Sequence, residues 1–419
     1  MKRELQEFGR RELLLGGASL FGGAALWPGQ ARASAPWTKS FLAPEDGGRP
    51  RTLILVQLFG GNDPLSTVVP YADDAYHRSR PNLRIPEKEL LRLDDYRGFN
   101  PVLENLNGLW KDGQLAIVEG VGYPQPSLSH FKSLDIWHAA RTEGSLRTDG
   151  WIGRLRDAAW PKDPRGELVA HAGEYVPNSI SSSLHPPLTY QTPESYLWIG
   201  EARQREACEE ACRSEEARTG NGRDAVLSRL RKAYRQAQAT SPKVLEALAA
   251  YDSGVEYPEE SFGNSMRSIA ALIQANFPTR IYSVDIRNFD SHARQRERHD
   301  PLLALVDGGI GALLRDLKGT DAYDKTLIVA FSEFGRRVEE NYSQGTDHGA
   351  GGTMFFLGPM VKGGLYGKHP SLTELDDDGN LVHNVDFRST YATIIEDWFH
   401  VAQDRVLDEP YSKLSILKT

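Results

Sequence analysis

TLILVQLFGGND, residues 52–63, is an apolar run that stops at two glycines and an acid. Thr52 to Phe59 carries no alternation of polar and apolar residues, the pattern of a strand buried on both faces, as in a parallel sheet. Gly60 and Gly61 let the chain turn sharply and approach a ligand closely, and Asp63 follows. Two further runs end in the same manner: RIYSVDIRNFDSH (280–292) at Asp290 and His292, and TLIVAFSEFGR (326–336) at Glu333. A fourth stretch, GTDHG (345–349), sets Asp347 and His348 ahead of the apolar run TMFFLG. Carboxylates and imidazoles at the carboxyl ends of strands stand where an open α/β sheet places its ligand. Oxygen and nitrogen donors without thiolate suit zinc, manganese, magnesium or calcium.

Outward from these runs, LAIVEGVG (115–122) reads as another buried strand, and PVLENLNGLWKDG (101–113) as a helix that ends at a glycine. Strand, helix, strand in this order implies a right-handed parallel crossover. HFKSLDIWHAA (130–140) predicts a helix with Ser127 or Ser129 placed to cap it. Arg280–Ile286 and Thr326–Phe331 resume the strand pattern, and a long helix is expected over 292–317. A closing amphipathic helix is expected over Asp386–Trp398. Residues 200–250 are charged and helical in pattern, so about 170–265 reads as a helical insertion. No internal repeat or low-complexity segment is evident.

At 419 residues, with 40% hydrophobic and 25% charged residues, the chain has the composition of a soluble globular protein. Its formal net charge is -8; residues 1–35 hold five Lys/Arg and three Asp/Glu, so the remainder stands at -10. Such an acidic chain is a poor partner for nucleic acid, which selects basic surface. An anionic substrate remains compatible, because a bound metal inverts the local field.

The N-terminus reads as an export signal. Arg10 and Arg11 precede LLLGGASLFGGAALW, and small residues close the run at Ala31–Ala35. The paired arginines point to the twin-arginine export machinery, hence to a periplasmic or otherwise exported protein. About 15 apolar residues rich in Gly and Ala are short for a membrane span, so no stable span is expected in the mature form. Residues 36–50 read as a linker and 51–419 as the folded domain. Cys208 and Cys212 share a helix face, where a disulfide and two ordinary cysteines are equally compatible.

Each chemical residue has a plain structural reading beside the functional one. Asp63 reads equally as a turn residue satisfying backbone amides. Asp290 and His292, two apart on an extended segment, point the same way and suit one ion. Glu333 at the end of a buried strand requires pairing or coordination, and Arg336 is the bland partner. Ser129, in PSLSHF at a helix N-terminus, reads as an N-cap or as a hydroxyl poised for activation by a metal. Ser127 is the other candidate, and His130 reads as a ligand or a capping neighbour. His299, further along the long helix, is expected to face solvent. The donors together suffice for two ions, as hydrolases that clamp attacking and leaving oxygens require.

The stretches GGNDPLSTVVPY, YHRSRP, EGVGYPQPSLSHFKSLDIW, SEFGR, GTDHGAGGTMFFLG, VKGGLYGKHPSL and VDFRSTYATIIEDW closely resemble the exported bacterial domain-of-unknown-function 1501 family. The resemblance spans about residues 50 to 415. That family is similar in turn to the alkaline phosphatase and sulfatase superfamily. It implies an alkaline-phosphatase-like three-layer α/β/α sandwich with a largely parallel sheet and two divalent metal ions. Carried over by motif, Asp63, Asp290, His292, Glu333, Asp347 and His348 match metal ligands and Ser129 matches the nucleophile. Lys132 and Arg336 are candidate anion contacts. Two positions depart: a single Glu333 replaces an Asp-His pair, and Leu128 replaces a basic residue. The implied activity is hydrolysis of a small-molecule or glycan-linked phosphate or sulfate ester. A non-catalytic periplasmic binding module and a metal-dependent phosphotransferase or mutase are the alternatives.

Overall fold

The computed structural model describes residues 49–142, 150–161, 169–172, 196–199, 244 and 246–418. All of them belong to one compact unit, Lys39–Thr419. The runs that lack polar alternation form the centre of a nine-stranded sheet. In chain order the strands are β1 (Thr52–Leu58), β2 (Leu115–Gly122), β3 (Val169–Ala172), β4 (Tyr196–Ile199) and β5 (Ile281–Ile286). There follow β6 (Thr326–Phe331), β7 (Gly352–Leu357), β8 (Gly364–Tyr366) and β9 (Val385–Asp386). Their spatial order is β8-β2-β7-β6-β1-β5-β3-β4, with β9 also paired to β2. Only β7 runs antiparallel to its neighbours. β1 lies between β5 and β6, with Leu53 opposite both Ile281 and Leu327.

Alternate residues of β1 feed two cores. Ile54, Val56 and Leu58 face a layer built on α1 (Glu104–Lys111), α4 (Ser261–Gln274) and α5 (Gln295–Leu317). Leu53 and Leu55 face the layer built on α2 (His130–Ala139), α3 (Trp151–Ala159) and α6 (Phe387–Thr393). The fold is therefore the three-layer α/β/α sandwich with a largely parallel sheet that the sequence predicts. Burial of each such aliphatic side chain is worth about 1.5–3 kcal/mol, so the two-sided strands anchor the loops at their ends firmly.

Several details differ from expectation. β1 and β2 are parallel, but β6 and β7 lie between them, so the crossover skips two strands. The long helix begins at Gln295, not at His292. The closing segment is helical over Phe387–Thr393 and continues as a wider π-type turn, Ile394–Trp398, with Asp386 capping the start. Within the segment read as a helical insertion, β3 and β4 extend the sheet edge beyond β5. Residues 1–35, Cys208, Cys212 and most of the helical pattern over 200–250 lie outside the described residues. Among the described residues, no helix is long and apolar enough to cross a membrane.

Because β7 is reversed, its first residue, Gly352, pairs with Val121 near the carboxyl end of β2. The residues just before β7 therefore reach the same sheet edge as those just after β2, β5 and β6.

Candidate metal centre

Four chain segments meet at that edge. After β2 comes His130, the first residue of α2; after β5 come Asp290 and His292; after β6 comes Glu333. The hairpin Gly335–Glu340 with Thr346–Gly349 then returns His348 and Asp347 ahead of β7. The turn after β1 packs beneath them. Gly60 has φ +124°, and a Cβ there would lie 2.4 Å from the backbone nitrogen of Asp290. Only glycine fits, which accounts for the first glycine of GGND.

Each imidazole is oriented through its Nδ1–H. His130 donates to Glu333 Oε1 at 2.7 Å, His292 to Asp347 Oδ1 at 3.1 Å, and His348 to the Leu128 carbonyl at 2.9 Å. All three acceptors are oxygens without a proton to give, so in its neutral form each ring presents its Nε2 as a lone pair. The three Nε2 atoms converge on one carboxylate. Those of His292 and His348 lie 3.0 and 3.1 Å from Asp290 Oδ1, and that of His130 lies 3.6 Å from Oδ2. His292 Nε2 and His348 Nε2 are 3.0 Å apart. His130 Nε2 is buried with no hydrogen-bond partner.

Lone pairs facing one another at that range repel unless a positive centre lies between them. Tetrahedral coordination with bonds of about 2.0–2.1 Å spaces its ligands by about 3.3 Å, close to the separations found. His130, Asp290 and His348 place their ligand atoms within 4.8 Å of one another. The donor set fits a divalent cation, with the His292 Nε2 3.0 Å from both Asp290 Oδ1 and His348 Nε2 beside it. Orientation of each ring by a second oxygen is the usual support of such ligands.

The electrostatics agree. Burial works to raise Asp290, but the hydrogen bond and charge of Arg336, with the neighbouring His348 and His292 rings, outweigh it and hold the carboxyl at about 2. Burial lowers His348 and the Arg336 charge reinforces it, while Asp290 and the Leu128 carbonyl oppose the shift without reversing it, so the ring is neutral at neutral pH. Burial also opposes ionisation of Asp347, yet hydrogen bonds from His292 and Asn341 bring it below the ordinary carboxylate range. Phe59 and Phe334 lie against His130, with ring centroids 5.6 and 4.8 Å away. The far side is open: the side chains of Asp290, His292 and Asp347 are 44%, 46% and 55% exposed.

Not every expected ligand is here. The Asp63 carboxylate is taken up by Arg80, which pairs with both of its oxygens, and also accepts from Ser66 Oγ, Gln295 Nε2 and the Leu65 amide. Asp63 and Arg80 are both fully buried. Burial would raise Asp63, but the Arg80 charge and hydrogen bonds hold it at about 2. The partner of Asp63, Arg80, comes from YHRSRP. Glu333 and Asp347 each accept from a histidine Nδ1, those of His130 and His292. Glu333 is fully buried and also accepts from the Gly60 amide at 2.9 Å.

Arg336, expected to touch substrate, is fully buried and bonds Gly61 O, Thr346 O, Phe289 O, Gly60 O and Asp290 Oδ1. It positions Asp290 and reaches no solvent. Lys132 is exposed on α2, three residues from Ser129. Ser129 is the exposed N-cap residue of α2 but makes no side-chain capping bond. Ser127 Oγ instead accepts from the Ser129 amide at 3.3 Å. His130, left open between ligand and neighbour, points its Nε2 into the cluster. His299, expected in solvent, is fully buried, and its Nε2 lies 2.9 Å from Asn62 Oδ1.

An open α/β edge carrying a built set of imidazole and carboxylate donors defines the class of site. Residues 121–395 match the family described as "Protein of unknown function (DUF1501)", and the chain belongs to that family. No curated protein matches it. Among solved structures it is similar to a protein in the alkaline phosphatase superfamily from Vibrio parahaemolyticus, at 8% identity over 83% of this chain and 67% of that one, TM-score 0.37. It is similar to the phosphonate monoester hydrolase of Silicibacter pomeroyi, at 11% identity over 87% and 78%, TM-score 0.39. A sulfatase from Pseudoalteromonas sp. matches at 10% identity over 88% and 71%, TM-score 0.39.

Proposed function

We propose that this protein hydrolyses an anionic ester of phosphoric or sulfuric acid at a divalent cation held by His130, Asp290, His292 and His348. The observation that carries this is the convergence of three oriented Nε2 atoms on one ionised carboxylate at a solvent-open sheet edge. A cation there supplies Lewis-acid polarisation of an ester oxygen. The chain's own residues supply the rest. Ser129 is exposed, free of a side-chain capping bond and next to His130 in sequence, so its Oγ is the nucleophile of choice. The amino end of α2 favours negative charge arriving or developing beside it. Lys132 is placed to attract the anion from solvent. Glu333, Asp347 and the Leu128 carbonyl hold the three rings so that no side chain must reorganise during reaction. Export through the twin-arginine route is part of this reading and is supported by residues 10–35 alone.

A second reading, a non-catalytic binding module, is favoured by one observation: the buried Asp63 gives both of its oxygens to Arg80. The test is turnover of 4-nitrophenyl phosphate, 4-nitrophenyl sulfate and an aryl phosphonate monoester by the zinc- or manganese-loaded protein. Turnover that is lost in Ser129→Ala, with cation binding retained, is expected. A loaded protein inert on all three classes would favour the binding module.

A further inference from the structure

We propose that the site takes one divalent cation, and that the buried guanidinium of Arg336 supplies the second positive charge there permanently. This rests on the reading of His130, Asp290, His292 and His348 as a cation site. Arg336 donates to Gly61 O at 2.8 Å, Thr346 O at 2.8 Å, Phe289 O at 3.1 Å, Asp290 Oδ1 at 2.8 Å and also to Gly60 O. Those oxygens come from three separate segments: the turn after β1, the loop after β5 and the hairpin before β7. Four carbonyls and a carboxylate oxygen gather around the guanidinium, the oxygen donors that a hard cation also takes. Here an arginine fills that cage.

The other acids that a second ion would need are engaged elsewhere. Asp63 gives both oxygens to Arg80 and accepts three further donors. Glu333 accepts from Gly60, His130 and Ser332. Charge balance points the same way. Asp290, Glu333 and Asp347 set three carboxylates against the Arg336 guanidinium, with the Arg337 charge also acting on Asp347, so one divalent ion already neutralises the formal negative excess. A second divalent ion would leave uncompensated positive charge in a partly buried site, which is costly. An arginine charge persists at any working pH and cannot be chelated away, so Asp290 is held in place with or without the cation.

Zinc stoichiometry of the full chain, by native mass spectrometry and equilibrium dialysis, tests this. The parent is expected to plateau at one ion per chain, and His348→Ala to lose it. Two ions per parent chain, both lost in His348→Ala, would overturn the proposal while leaving the cation site intact. No ion at all would overturn the reading beneath it. Arg336→Ala, checked for folding by circular dichroism, is expected to open the carbonyl cage and take up one calcium ion beside the zinc, whereas Arg336→Lys stays at one ion. A folded Arg336→Ala protein that binds no calcium would count against the proposal. If that variant does not fold, the parent stoichiometry decides alone.

Discussion

The Nε2 atoms of His292 and His348 face each other across 3.0 Å, while the Nδ1 of each is tied to an oxygen, Asp347 Oδ1 and Leu128 O. Neither ring can turn its proton toward the other without breaking its own orienting bond. A positive centre between the two rings would relieve their repulsion.

That orientation predicts a graded response. Asp347 is half-exposed and touches the cluster only through His292 and Asn341. Asp347→Ala is expected to leave melting within about 0.5 kcal/mol of the parent, as for surface changes, and to weaken zinc about 10-fold or more. Dialysis against zinc checks it; unchanged affinity would deny His292 a ligand's role.

Asp63 should behave in the opposite way. Breaking a buried pair leaves an uncompensated charge, worth about 3–5 kcal/mol. Asp63→Asn is expected to lower the denaturation midpoint strongly while the folded fraction keeps its full cation content. Loss of the cation with stability preserved would restore Asp63 as a ligand.

Acid sensitivity follows from His299. Burial lowers this ring to about 4, while Asp63 and Asp300 oppose that shift and Arg336 and Arg80 reinforce it. With the folded value below the unfolded 6.5, the unfolded state binds more protons between them, so stability is full above about 6.5 and falls as pH drops toward 4. The loss is roughly 3 kcal/mol. Asp63, held at about 2, adds a further loss below the ordinary carboxylate value of about 3.9. Urea midpoints of His299→Gln and parent between pH 4 and 7 check this: the variant's profile should flatten, and parallel profiles would assign the acid sensitivity elsewhere.

Turnover separates the serines. Ser129→Ala is expected to reduce kcat by 10³-fold or more, on the order of 4 kcal/mol. Ser127→Ala, which removes only the acceptor for the Ser129 amide, should cost less than 10-fold. Equal effects would make water, not Ser129, the nucleophile.

Much of this was legible in the sequence. Strands that are apolar on both faces announced the sandwich, and the acids and histidines at their ends included Asp290, His292 and His348. The missing parts have physical reasons. A carboxylate after a strand looks the same whether it meets an ion or an arginine, and Arg80 lies 17 residues beyond Asp63. His299 shares a buried stripe of α5 with Gln295, Leu303, Val306 and Ile310, a periodic signal outweighed by the charged residues around it. The reversal of β7 depends on the hairpin before it, and no local residue preference encodes strand direction. Glu333, expected to be paired or coordinated because of its burial, meets the Gly60 amide and His130.

The most direct measurement is elemental mass spectrometry of the purified chain, before and after refilling with zinc, manganese, magnesium and calcium, alongside His130→Ala and His348→Ala. A zinc-like ion in the parent, absent from both folded variants, is the predicted result. A parent that holds no ion after refilling, or variants that hold as much as the parent, would contradict the account.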